Sequence, residues 1–225
     1  MRSFSGRVIE IHMDQRGSTS AWIACPTGAI PGPGQYVLAC DPEDLDTPLA
    51  VPLFPADFSN AGFLSASPIP RAWEPGTRLE LWGVLGQGFH VPAGIQRLAC
   101  SALGGSMARL LPLVGRALSQ GVAVVLFTDL PLPSLASDLE VQPLSALSDS
   151  LDWPDFLALD LPVEQLPALR SVLGVHPSSV LPCPGQALVL TPMPCGGMAE
   201  CGACAVPVHG APSHSPFTHS GGKLS

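Results

Sequence analysis

The sequence predicts a small antiparallel β-barrel, then a three-layer α/β unit on a parallel sheet, and finally a cysteine-glycine loop. Three observations predict this. Through about residue 92, short apolar runs recur at roughly ten-residue spacing with turn signals between them, as in small antiparallel barrels. Beyond about residue 95, strand-like runs alternate with stretches of helical period, which is how a parallel sheet with crossover helices reads. The chain also holds 26 prolines and 23 glycines among 225 residues, too many for a helical bundle. The expected divisions are 1–92 for the barrel, 93–190 for the α/β unit, and 191–225 for the loop and tail.

In the first division, Ser5-Gly-Arg-Val-Ile-Glu-Ile-His-Met and Thr19-Ser-Ala-Trp-Ile-Ala-Cys read as strands separated by the turn signal Gln15-Arg-Gly-Ser. Pro31-Gly-Pro-Gly is a turn that leads into the strand Gln35-Tyr-Val-Leu-Ala-Cys. Ala61-Gly-Phe-Leu-Ser-Ala and Arg78-Leu-Glu-Leu-Trp-Gly-Val-Leu are two more strands. In the second division, Gln96-Arg-Leu-Ala-Cys-Ser-Ala-Leu is a strand ending at Gly104-Gly105-Ser106. Met107, Leu110, Leu111, Val114 and Leu118 then recur on one helical face. Pro112 places the helix start near Arg109, because proline is tolerated only in a first turn. Val122 to Phe127 is a buried parallel strand ending at Thr128-Asp129, and Phe156-Leu-Ala-Leu-Asp is another. The helical run Val163 to Leu173 stops at Gly174, and Ala187-Leu-Val-Leu-Thr closes the set.

Charge excludes some functions. Eighteen acidic and ten basic residues make up 12% of the chain, with a net charge of −8 and no basic run. Nucleic acid is not an expected partner, since its binding needs clustered Lys and Arg. Hydrophobic residues are 46% and mean hydropathy is +0.34, so a sizeable core is expected rather than disorder. So few charges on so apolar a chain suggest that a partner covers some of its surface. The longest unbroken apolar stretch, Val122 to Phe127, is far short of the roughly 20 residues of a membrane span. The N-terminus alternates and soon meets charges, so no secretory leader is expected, and the chain reads as cytoplasmic.

Cys195, Cys201 and Cys204 carry the chemistry. Their C-x5-C-x2-C spacing lets three thiolates wrap one soft metal centre. Gly196, Gly197 and Gly202 can turn backbone N–H groups toward the sulfurs, which neutralises cluster charge. The spacing is one residue longer than the plant-type C-x4-C-x2-C of [2Fe–2S] proteins. A structural zinc site with His209, His214 or His219 as fourth ligand is the competing reading, and three unliganded reduced cysteines the plain one. Cys25, Cys40 and Cys100 lie inside apolar strand runs and read as core. His12 and His90 stand alone on strand-like segments. Asp129 and Asp160 end parallel strands, where they serve either as helix caps or as ligand-site residues. Asp41, Glu43, Asp44 and Asp46 read as a solvated turn. No Gly-x-Ser-x-Gly, Walker loop or His-Glu-x-x-His is present, so hydrolase and kinase readings have no anchor.

Pro194-Cys-Gly-Gly-Met-Ala-Glu-Cys-Gly-Ala-Cys, following a strand, resembles the cluster loop of the electron-transfer subunit of class B dihydroorotate dehydrogenase, in the ferredoxin–NADP reductase superfamily. Pro33-Gly-Gln-Tyr-Val resembles the family's Pro-Gly-Gln-Phe barrel entry, and Trp82-Gly-Val-Leu-Gly-Gln-Gly-Phe its Gly-Pro-Leu-Gly-Asn-Gly-Phe exit. Leu103-Gly-Gly-Ser-Met-Ala-Arg-Leu-Leu-Pro-Leu resembles Gly-Gly-Ile-Gly-x-Ala-Pro-Leu-Leu-Pro-Leu at the start of the nucleotide domain. The resemblance runs over residues 5–205. It implies a ferredoxin-reductase-like barrel, a Rossmann-like domain and a C-terminal [2Fe–2S] loop. It also implies electron relay between a nicotinamide nucleotide and a partner dehydrogenase subunit that oxidises dihydroorotate in pyrimidine biosynthesis, through FAD and the cluster.

Several family elements are altered. The flavin motif Arg-x-Tyr/Phe/Ile-Ser reads Val51-Pro-Leu-Phe-Pro, without its arginine. The Gly-Thr-x-x-Leu element is deleted between Ala66 and Pro75, and Cys-Gly-Pro-x-x-Met is replaced by Leu159-Asp-Leu-Pro-Val-Glu. The expectation is therefore weak or no FAD, and NAD is less expected still. No cysteine follows Cys204, so the fourth ligand is His214, His219 or Cys183, or is missing from a tail whose pattern breaks near Val208, as a frameshift or early stop would leave it. The opposing expectation is a non-enzymatic scaffold with decayed cofactor sites, with or without zinc.

Overall fold

The computed structural model describes residues 2–14, 17–44, 49–66, 68–130, 132, 139–174, 180–192 and 222–223. These divide into two compact units that meet in sequence at Gly88 and Phe89. The cysteine loop and the tail histidines lie outside the described residues.

The first unit is a curled antiparallel sheet. Its strands are β1 (Ser3–Met13), β2 (Thr19–Ala24), β3 (Tyr36–Cys40), β4 (Val51–Leu53), β5 (Pro55–Ser59), β6 (Gly62–Ser65) and β7 (Arg78–Leu85). The order across the sheet is β4-β3-β7-β1-β2-β6-β5. β4 and β5 are consecutive in the chain yet lie at opposite edges, so the stretch from Val51 to Ser59 bridges both edges and the sheet must curl into a half-barrel. Edge strands lack a second partner, and that is why Pro52 and Pro55 are tolerated there. Alternate residues point inward: Val8, Ile23, Val37, Leu53, Phe63, Leu79 and Leu81 are nearly or fully buried. Ile69 and Trp73, from the loop after β6, join this core. The buried Ser65 Oγ accepts the Ala21 N–H at 3.0 Å.

Two of the quoted motifs meet in space. Gln35 accepts the Gly32 N–H at 3.0 Å through Oε1, and its Nε2 donates to the Gly86 carbonyl at 3.2 Å. A Cβ on Gly88 would lie 2.9 Å from the Pro33 carbonyl oxygen. The Pro-Gly-Gln and Gly-Gln-Gly segments are thus two sides of one junction.

The second unit comprises β8 (Arg97–Ala102), α1 (Leu111–Ser119), β9 (Ala123–Phe127), β10 (Glu140–Gln142), β11 (Phe156–Pro162), α2 (Leu166–Val172), β12 (Gly185–Leu190) and β13 (Gly222–Lys223). Sheet order is β10-β9-β8-β11-β12-β13, parallel except for β13. α1 begins with Pro112 in its first turn, where the missing N–H costs nothing. Its Leu110, Leu113, Val114 and Ala117 cluster with Leu98, Cys100, Val124 and Leu126 on one face of the sheet. The other face carries Leu169 of α2 with Leu147, Leu151, Leu157 and Leu159. This is the expected three-layer, Rossmann-like arrangement. At the lower edge, Asp155 accepts the Gln96 and Arg97 N–H groups and pairs with Arg97 Nη2 at 2.8 Å, tying the starts of β8 and β11 together. The bond from Arg97 holds the Asp155 carboxyl below its ordinary range. Among the described residues, no helix is long and apolar enough to cross a membrane.

Candidate functional site

Strand order reverses between β8 and β11: the chain builds outward through β9 and β10 on one side, then returns to β11 and β12 on the other. Open α/β sheets take ligands in the crevice at such a switch point, beyond the carboxyl ends of the strands. Here β8 runs into Leu103-Gly104-Gly105-Ser106, and the Leu103 N–H donates to the Asp160 carbonyl at 2.9 Å. Gly104 and Gly105 have φ of 71° and 126°, so the turn depends on the absence of side chains.

The chain places an ion pair of its own at this point. Arg109 Nε donates to Asp160 Oδ2 at 2.8 Å, and the two side chains are 11% and 0% exposed. Asp160 Oδ1 is buried without a hydrogen-bond partner. Burial outweighs the attraction of Arg109 and pushes the Asp160 carboxyl up to about 6. Leu161 beside it is fully buried. These residues do not fit a nicotinamide nucleotide. A buried carboxylate and its guanidinium partner stand beside the glycine turn, where the ligand's phosphates would have to approach. Sequence reasoning treated Asp160 as a cap or ligand residue and Arg109 as a helix start. Their pairing across 51 residues had no local signal.

The barrel does not fit an FAD pyrophosphate at its expected position either. β4 and β5 carry no lysine or arginine. Leu53 and Phe54 are buried, Phe54 with its ring centroid 5.2 Å from that of Tyr36. The segment read as a flavin motif is instead the bridge between the two sheet edges.

The remaining candidates are separate. Cys195, Cys201, Cys204, His209, His214 and His219 fall outside the described residues. Cys183 is 6% exposed in the apolar core beside Leu147 and Leu157, and burial raises its thiol pKa, which makes it a poor thiolate donor as it stands. Cys100 is buried as expected, with its thiol pushed far up. Cys25 and Cys40 correct the core reading: both are only partly buried, at or just past strand ends. His12 is exposed beside Glu10 at 3.4 Å. The exposed His90 bonds Gln186 Oε1 through its backbone N–H. Asp129 Oδ1 accepts the Leu144 N–H at 3.2 Å, a long-range bond to a short 3-10 turn whose own N-cap is Pro143. Asp160 does not cap. Asp41 accepts the Glu43 N–H, as in a solvated turn. No group of three metal-ligating side chains occurs among the described residues.

Comparison with solved structures shows that this fold is ferredoxin-reductase-like. An NADH-dependent reduced ferredoxin–NADP oxidoreductase matches with a TM-score of 0.63 and 17% identity, over 88% of this chain and 80% of that one. The ferredoxin reductase of carbazole 1,9a-dioxygenase matches at 0.61 and 18%, over 77% of this chain and 65% of that one. This chain therefore spans just under two thirds of that reductase. Phthalate dioxygenase reductase, described as a modular structure for electron transfer from pyridine nucleotides to [2Fe–2S], matches at 0.57 and 12%, over 83% and 68%. No protein-family model and no curated protein matches the sequence.

Proposed function

We propose that the chain is an electron-transfer subunit whose [2Fe–2S] cluster takes electrons one at a time from a partner dehydrogenase and passes them to a separate one-electron acceptor protein. The observation that carries this reading is the fold: the half-barrel and parallel sheet together match electron-transfer reductases over as much as 88% of the chain. Cys195, Cys201 and Cys204 would hold the cluster, with His214 or His219 completing it, because Cys183 is committed to the core. When bound, the cluster supplies one-electron relay. The glycines of the loop would offer N–H groups to its sulfurs and help set its potential. The crevice at Arg109 and Asp160 favours electrons arriving from a partner rather than from a nucleotide bound here. The partner is proposed to be a cytoplasmic dehydrogenase oxidising dihydroorotate, as the resemblance of the cysteine loop implies.

The same crevice, with the cation-free β4 and β5, favours a second reading: a scaffold that has kept the shape of a reductase without its ligands. Anaerobic purification from the native cell, with visible absorption, iron, zinc and flavin quantified, tests both. Brown protein containing iron, with a co-purifying dehydrogenase that reduces it on addition of dihydroorotate, supports the relay. Brown protein whose dehydrogenase ignores dihydroorotate refutes that substrate alone. Colourless, zinc-containing or metal-free protein supports the scaffold and overturns the relay.

A further inference from the structure

On the outer face of the half-barrel, Arg7 of β1 stands directly opposite Arg78 of β7. It is the one rung of the described ladders that sets two charged residues against each other, and both are cationic. The Val8 N–H bonds the Thr77 carbonyl at 2.9 Å on the next rung. Because bonded and non-bonded rungs alternate, Arg7 and Arg78 form the closely spaced, non-bonded kind. Like charges so placed are destabilising. No described residue offers either guanidinium an ion pair. Glu80, the next outward residue of β7, stands opposite Ser5 of β1 on one side and Cys40 of β3 on the other, and forms no ion pair with Arg7 or Arg78.

The two arginines line a concavity of about 610 Å³ together with Ser5, Ala24 and Cys25. Burial pushes the Cys25 thiol up to about 11, so this wall supplies no thiolate to repel an anion. A second concavity of about 310 Å³ shares Ala24 and Ala61 with the first and is lined by Trp22, by Ile9, which is 53% exposed, and by Glu10, whose carboxylate lies 3.4 Å from His12 Nε2. The two adjoining concavities carry two guanidinium forks without an ion-pair partner among the described residues at one end, and an indole, an aliphatic side chain and the Glu10 carboxylate at the other. Their volumes are in the range of small-molecule sites.

We propose that these concavities bind a phosphomonoester, with Arg7 and Arg78 gripping the phosphoryl group and Trp22 and Ile9 flanking an apolar body. Two planar guanidinium forks suit a phosphoryl group, which offers three acceptor oxygens and a charge near −2. Such a ligand turns the repulsive rung into a shared contact. The outward Ser5 hydroxyl stands on the same face to donate. The site lies wholly within the first unit and does not depend on the electron-transfer reading.

The intact chain, in phosphate-free, low-salt buffer, is titrated with phenyl phosphate and separately with inorganic phosphate. Arginine Nε–H and tryptophan indole resonances are followed, with chloride as the control. The expected result is a saturable shift of the Arg7, Arg78 and Trp22 signals, with phenyl phosphate binding about tenfold tighter than inorganic phosphate through its ring contact. Arg7→Gln/Arg78→Gln, on an exposed face where neither side chain supports the core, should abolish saturation while its spectrum stays folded. Arg78→Gln alone should melt above wild type without ligand, because the repulsion is gone, and below it at saturating phenyl phosphate. Non-saturating shifts equal to those with chloride would show an adventitious ion only and overturn the site. Saturable binding that survives the double variant would place the ligand elsewhere. Equal affinity for both phosphates would remove the apolar half of the proposal.

Discussion

At the residue scale, Arg109 and Asp160 form a nearly buried ion pair beside the glycine turn that follows β8. Asp160 has a folded pKa of about 6 against an ordinary 3.8, so between those values the native chain holds more protons than the unfolded one. This group's stabilising contribution is therefore fully present below pH 3.8 and is lost as pH rises to about 6. Arg109→Leu strands the carboxylate and should cost about 3–5 kcal/mol at pH 7, shrinking as Asp160 protonates on acidification. Asp160→Asn keeps an oxygen for Arg109 and discards the charge, so it should cost less than Arg109→Leu at pH 7 and flatten the slope. Urea midpoints at pH 4, 5, 6 and 7 check both; a pH-independent loss in Arg109→Leu would refute the ion-pair account. At the cysteine loop, Cys201→Ser should remove most bound iron, since two thiolates hold a cluster poorly. His214→Ala/His219→Ala should weaken retention if the tail closes the site. Iron content and the visible spectrum measure each, and metal unaffected by Cys201→Ser would sink the cluster assignment.

At the element scale, strand contacts set which residues are replaceable. Gly62 opens β6 opposite Ala24 of β2, and a Cβ there would lie 1.9 Å from the Ile23 carbonyl oxygen. That neighbour is backbone in the middle of the sheet and cannot swing aside. Gly62→Ala should therefore cost at least ~3 kcal/mol or prevent folding, whereas Gly17→Ala faces open space and costs only turn strain. Thermal melts of the two variants give the comparison, and equal Tm values would refute it. β1, β2, β7 and α1 were legible because each buries a periodic face, and β3, β8, β9 and β11 because each is a short apolar run buried almost throughout. β4, β5 and β10 were not. Val51-Pro-Leu-Phe-Pro-Ala-Asp reads as a loop because its prolines and short runs suit edges, and which edge is free is a property of the sheet.

At the scale of the whole molecule, two units of ferredoxin-reductase-like fold carry no cation on β4 and β5 and a buried ion pair beside the glycine turn after β8. Protein purified without added cofactor should carry substoichiometric FAD or none, because β4 and β5 offer no cation to a pyrophosphate. It should also show no saturable binding of NADH or NADPH by fluorescence titration. One tightly held flavin per chain would mean that other groups have replaced the arginine and would reverse this assignment.

From the sequence alone came the fold class, most strands and both helices, since hydrophobic period and proline placement are local properties. Only the tertiary structure decided the long-range arrangement: a strand bridge between two sheet edges at Val51–Ser59, a core position for Cys183, and an ion pair between Arg109 and Asp160. It likewise brought Arg7 opposite Arg78, from strands some seventy residues apart. Each of these depends on which strands neighbour one another, and long-range pairing leaves no periodicity in the chain that makes it.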